Sequence, residues 1–265
     1  MRAHERWAAF LEQIGDRHDQ VCKDAEQGAR EALLATDFDP TPIGIAWMAV
    51  TDRLKELERR IIDTWHEKVE ATFESEGYDQ ATQIAERRKG EDLAFNLENA
   101  REASEMRVFA SGARELHARA LATQKAKNCP SCGAVLQIPI TYNAINVTCA
   151  HCRSVVTFEP GTTARMAVAF GSHALAWEAA QPEWLVMRQA ERAMRDARSP
   201  APLALLKSYE RAQIAYWFKY IGTRSYLEPV LGDVTHEVRS RMEFWYRTMD
   251  SEEEWRRAGA PRERF

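Results

Sequence analysis

The chain has 265 residues, 45% of them hydrophobic and 29% charged, with a formal net charge of −4. That balance is globular and excludes wholesale disorder, and the length suits one large domain or two small ones. The longest clean apolar run, Ile43 to Val50, is far short of the ~20 residues that cross a bilayer, and Met1-Arg2-Ala3-His4-Glu5-Arg6 lacks the apolar core of a signal peptide. A protein of a reducing compartment, the cytoplasm, is therefore expected, with no membrane span.

The first helix is predicted over residues 3–35, where Trp7, Leu11, Ile14, His18, Val21 and Ala25 recur at steps of three and four. Asp37-Phe38-Asp39-Pro40-Thr41-Pro42 breaks it. A second helix, 43–75, carries Trp47, Val50, Leu54, Leu57, Ile61, Trp65 and Val69 on one stripe and ends at Ser75-Glu76-Gly77. Residues 79–127 form a third helical stretch. The run Glu86 to Asp92 has no apolar residue and contains Gly90, so a solvated face, a kink or a division into two helices is expected there. Long helices with narrow stripes and short connections favour an antiparallel bundle, helical hairpins or coiled-coil packing.

Next comes Cys129-Pro130-Ser131-Cys132-Gly133, and sixteen residues after Cys132 comes Cys149-Ala150-His151-Cys152. Each C-x2-C pair can grip one cation from a tight turn. Two such turns give four thiolates in a tetrahedron, which suits Zn²⁺. Gly133 fits a turn needing positive φ. Val135 to Ile140, Ile145 to Thr148 and Val155 to Phe158 are β-prone runs, with Tyr142-Asn143-Ala144 able to turn the chain between the first two. Cys129, Cys132, Cys149 and Cys152 are thus expected to hold one Zn²⁺. With four protein ligands no position is open to water or substrate, so the metal is read as structural. A 33-residue segment this small needs such a staple to fold.

Residues 128–160 resemble the short bacterial and archaeal zinc-ribbon fingers that begin C-P-x-C-G-A and carry an apolar residue plus proline, here Ile138-Pro139, before a second knuckle. The second knuckle departs from that pattern, with Arg153 in place of the commoner glycine. The resemblance implies metal binding and covers about an eighth of the chain. Such ribbons occur in regulators, nucleic-acid machines and structural insertions, so it names no task.

After a break at Pro160-Gly161-Thr162-Thr163, helices are predicted over 164–179, 182–198 and 202–221. Gly222 to Gly232 reads as a loop, and a further helix runs from Val234 to Met249. Ser251-Glu252-Glu253-Glu254 resembles a capping box opening a short last helix. The expected architecture is mainly α: an N-terminal long-helix region (1–127), an inserted small β zinc ribbon (128–160) and a C-terminal helical region (161–265).

Charge is uneven along the chain. Residues 1–106 hold 14 Lys/Arg and 24 Asp/Glu, whereas residues 107–165 hold seven and two. A Zn²⁺ with four thiolates carries −2, which Lys125, Lys127 and Arg153 would offset. The basic middle is therefore weak ground for a nucleic-acid-binding regulator, the less favoured alternative. Chemistry-bearing spacings are sparse. Asp63/His66 and Asp233/His236 sit three apart, as chance alone can place them, and lack the glutamates of di-iron bundles. Cys22 and His18 lie one helical turn apart, with no orienting third group in the sequence. The C-terminal aromatics, among them Trp217, Phe218, Phe244 and Tyr246, exceed what one stripe can bury. By helix geometry Phe244 points roughly 120° from the Val234–Met249 stripe, so these positions are the candidate surface for a protein partner. The expected role is a non-catalytic adaptor or scaffold; an enzyme with a helical active site is the remaining alternative.

Overall fold

The computed structural model describes residues 2–123, 127–138, 144–197, 201–228, 232–248 and 259. The helices are α1 (Ala3–Ala35), α2 (Thr41–Thr64), α3 (Glu70–Ser75), α4 (Gln80–Thr123), α5 (Thr162–Ala179), α6 (Gln181–Arg195), α7 (Leu203–Leu227) and α8 (Val234–Thr248). The strands are β1 (Lys127–Asn128), β2 (Val135–Leu136), β3 (Ile145–Thr148) and β4 (Val155–Phe158). The fold is mainly α, with two small antiparallel sheets, β1-β2 and β3-β4, among the described residues. No helix among them is long and apolar enough to cross a membrane. Two compact units are present, Met1–Val108 and Phe109–Phe265.

In the first unit, α1 packs on α2, and Leu93, Ala94 and Leu97 of α4 join them. The core gathers Trp7, Leu11, Ile14, Leu57, Ile61, Trp65, Phe73 and Leu97. Leu57, Ile61, Trp65, Val69 and Phe73 are spaced by four residues throughout. In an α-helix each such step overshoots a turn by about 40°, so four steps would carry Phe73 about 160° away from Leu57. A π-helical turn at Trp65–Val69 joins α2 to α3. Its wider winding removes part of that drift, and Phe73 is fully buried in the same cluster as Leu57.

α4 is one continuous helix, with no break at 86–92. The charged run is a solvated face, tied by Arg87–Glu91 (3.0 Å) and Lys89–Glu86 (2.6 Å). Gly90 faces the other way, toward Trp7. A Cβ there would lie 2.7 Å from Trp7 Cζ2, while the Trp7 indole N–H donates to the Glu86 carbonyl at 3.0 Å. The glycine is needed for close approach rather than for a turn.

In the second unit, α5, α6 and α8 all pack on α7. α7 buries Leu206, Tyr209, Ala212, Tyr216, Tyr220 and Ile221, together with Glu210 and Gln213. It runs to Leu227, through the residues 222–227 expected to be loop. An interior glycine costs roughly 1 kcal/mol relative to alanine. The end of the helix is held instead by Glu228, which accepts from Arg224 Nε at 3.1 Å and lies 3.1 Å from the Ser172 hydroxyl of α5. Most of Tyr142-Asn143-Ala144 and the capping-box segment at 251–254 lie outside the described residues.

Candidate metal centre

Each C-x2-C pair sits in a tight turn closed by its own hairpin. In the first, Cys129 N–H donates to Ala134 O (2.8 Å) and Gly133 N–H to Cys129 O (2.8 Å). In the second, Cys149 N–H donates to Ser154 O (2.8 Å) and Arg153 N–H to Cys149 O (2.9 Å). The two knuckles therefore repeat one another position by position. Lys127-Asn128 pairs with Val135-Leu136 around the first, and Ile145–Thr148 with Val155–Phe158 around the second. Strand pairing thus encloses each knuckle separately, and β1 was not foreseen in the sequence. Its two residues carry no apolar alternation and pair only because the knuckle returns the chain beside them.

Gly133 has φ 75° and Arg153, its counterpart, φ 61°. The turn demands the left-handed region at both positions, and the second knuckle meets that demand without a glycine. Behind the turns Leu136, Cys129 and Cys149 are buried, with Ala134, Ile138, Val147 and Val156 packed against them. Among the described residues, those of this small apolar cluster all belong to the ribbon.

The four Sγ atoms all lie within 4.8 Å of one another, and no disulfide joins them. Cys129 Sγ is 3.6 Å from Cys152 Sγ, and Cys132 Sγ is 3.7 Å from Cys149 Sγ. A tetrahedron with Zn–S bonds of about 2.3 Å has S···S edges of about 3.8 Å, so these separations fit a metal tetrahedron and far exceed a covalent S–S bond of about 2 Å. Backbone N–H groups point at the sulfurs, as thiolates require. The Cys152 and His151 amides aim at Cys149 and hold its pKa below the usual thiol value. The hydroxyl of Ser154, 3.2 Å from Cys152 Sγ, and then its amide draw Cys152 down to about 6. The Ala134 amide likewise favours ionised Cys132, but the crowding of the other sulfurs outweighs it and pushes that thiol up to about 12. Four thiols this close cannot all ionise unless a cation joins them, which is the donor chemistry of a soft or borderline metal ion.

The remaining candidates fall elsewhere. His66 and Asp63 are exposed, and His66 pairs with Glu70 at 3.5 Å. Asp233 is occupied by the Thr235 amide at 3.1 Å, at the start of α8. Neither pair joins a metal-sized group among the described residues. Cys22 and His18 do meet, with Sγ 3.7 Å from Nδ1. A third group is also present: Glu58 Oε1 of α2 stands 3.5 Å from His18 Nε2 and accepts from Arg101 Nε at 2.8 Å. Sequence reasoning missed it because Glu58 is forty residues away on another helix. His18 is fully buried and Cys22 nearly so, and burial raises the Cys22 pKa. A raised, enclosed thiol is a poor nucleophile, so this constellation acts as core polarity.

Of the aromatics, Trp217 is half-buried. Its indole N–H donates to Gln213 Oε1 at 3.1 Å, and Arg241 of α8 stands 5.5 Å above its ring. Phe218 is also half-buried, and Phe244 is 66% exposed. The Tyr246 side chain lies outside the described residues. No family model, curated protein or solved structure matches the chain.

Proposed function

We propose that residues 128–160 form a zinc ribbon holding one structural Zn²⁺ through Cys129, Cys132, Cys149 and Cys152, inserted between helical regions 1–127 and 161–265. On this reading the chain is a non-catalytic cytoplasmic adaptor whose helical surfaces bind other proteins. The observation that carries the metal reading is the pair of S···S separations, 3.6 and 3.7 Å, at the edge length of a zinc tetrathiolate. Zinc is favoured over other ions because four thiolates in a tetrahedron suit it and leave nothing open for chemistry. The adaptor reading is supported by Phe244, a large apolar side chain left 66% exposed on α8, since aromatics are enriched at the centres of protein interfaces.

The nucleic-acid reading loses support once the cations are placed. Of the seven in residues 107–165, Arg107 binds Glu26, Arg114 binds Glu178, Arg119 binds Glu115 and Arg165 binds Glu159. Lys127 lies over the Phe158 ring at 4.8 Å. Cations committed to carboxylates make a poor phosphate stripe. The test is capture of partners from native lysate with zinc retained, compared between the wild type and Phe244→Ser. Proteins lost with Phe244→Ser support the adaptor. Duplex or single-strand nucleic acid bound below about 1 µM at physiological salt, with a steep salt dependence, would replace it with the regulator.

A further inference from the structure

A cavity of about 210 Å³ opens in the first helical unit between the start of α1 and the π-helical turn, lined by Ala3, Arg6, Trp7, Phe10, Thr64, Lys68, Val69 and Thr72. Its apolar wall is flat. It is the ring of half-buried Phe10, stacked on Trp7 with the rings 16° from parallel and centroids 5.5 Å apart. Trp7, itself 1% exposed, backs that ring and is fixed by its indole bond to Glu86 O at 3.0 Å. Val69, the last residue of the π-helical turn Trp65–Val69, adds a half-buried aliphatic side chain to the lining.

The rim is positive and contains no acid, although residues 1–106 carry ten more acidic than basic side chains. Arg6 is already engaged by Glu76 Oε1 at 2.9 Å. Lys68 is exposed and has no carboxylate within ion-pair reach among the described residues. Thr64 adds a hydroxyl. A flat apolar wall, one uncommitted ammonium and a volume below the roughly 300–1,000 Å³ of drug-sized sites together define the ligand class. π-Helical turns recur at functional sites because they offset the winding and re-aim side chains.

We propose that this pocket binds a small carboxylate with a one- or two-ring aromatic body, its ring face against half-buried Phe10 and its carboxylate at Lys68. The same chemistry could come from a free aromatic acid or from the C-terminal aromatic residue of a peptide. The proposal is independent of the metal reading.

The test is calorimetric titration of the full chain with 2-naphthoate, with N-acetylphenylalanine and with neutral 2-naphthamide. A Kd of about 1 mM or tighter is expected for at least one acid, from ligand efficiencies typical of small ligands. The amide should bind at least fivefold more weakly than 2-naphthoate. Lys68→Gln, an exposed change, should erase that preference, and Thr72→Phe should fill the cavity and abolish binding. Tighter binding of N-acetylphenylalanine than of 2-naphthoate assigns the site to peptide C-termini, and the reverse order to free acids. No heat from either acid at about 10 mM, equal affinity for acid and amide, or affinity unchanged in Lys68→Gln overturns the proposal.

Discussion

The Cβ that Gly90 lacks would stand 2.7 Å from Cζ2 of Trp7. Both residues belong to the first helical unit, and the contact sets how closely α4 approaches α1. Glycine inside a helix normally costs roughly 1 kcal/mol against alanine, so Gly90→Ala would stabilise an exposed helix. Here Trp7 is buried and anchored at Glu86 O, and displacing a buried ring by an added methyl costs about 1–3 kcal/mol. The clash outweighs the propensity, and Gly90→Ala is expected to lower the denaturation midpoint by thermal or urea melting. A rise in the midpoint would show that Trp7 yields freely.

Glu58 joins His18 and Arg101 inside the same unit. Burial opposes its charge, yet contacts with His18 and Arg101 outweigh that and hold its pKa below 4.5. A carboxyl depressed on folding contributes stability that is present above the unfolded value and lost as pH falls through the folded one. Glu58→Gln takes from Arg101, itself only 6% exposed, its 2.8 Å carboxylate and leaves it Glu102 at 4.0 Å, at an expected loss of about 1–3 kcal/mol at pH 7. The gap between wild type and Glu58→Gln should shrink as pH falls below about 4.5. Urea melts across that range measure it, and a gap independent of pH would contradict the ionic assignment.

What the sequence reveals follows from the range of each interaction. The stripe from Trp7 to Ala25 and the C-x2-C pairs are local, so α1 and the four cysteines were legible. Even the π turn is written in the four-residue spacing from Leu57 to Phe73, although a stripe alone does not say whether the helix will unwind or bury a different face. Gly90 was misread as a possible break because its partner, Trp7, is remote in sequence. Glu58 was missed as the third group beside His18 for the same reason. Gly222 was read as opening a loop because the contacts holding the end of α7, made by Glu228 with Ser172 and Arg224, are tertiary or depend on the helix already being present.

The knuckle turns give a prediction of opposite signs. Arg153 occupies the left-handed region at φ 61°, which costs a residue with a Cβ roughly 1–2 kcal/mol. Glycine would relieve that at an entropic cost of about 0.5–1 kcal/mol. Measured at about 1 M salt, where the lost Arg153 charge is screened, Arg153→Gly should therefore tighten metal retention, slowing release to a chelator about twofold or more. Gly133→Ala, at φ 75°, should hasten it. Release rates followed with a colorimetric chelator decide, and equal rates for the two variants would remove the argument.

Among the described residues the ribbon's apolar cluster is built from its own side chains, and the first helical unit has a separate one. Metal binding in zinc-finger peptides is worth about 10–16 kcal/mol at neutral pH, far more than so few aliphatic contacts can supply. Cys132→Ser should therefore loosen residues 128–160 locally. Far-UV circular dichroism should change little, while limited proteolysis should open new cuts within that segment. A cooperative loss of helix would instead make the ribbon the joint on which the fold depends.

The most direct measurement is the metal content and thiol state of the protein purified without chelator, read by elemental analysis and native mass spectrometry. One Zn²⁺ per chain is expected, with Cys129, Cys132, Cys149 and Cys152 protected from alkylation until a chelator is added and then all reactive. A metal-free chain, with those four cysteines joined in two disulfides or freely alkylated from the start, would contradict the account.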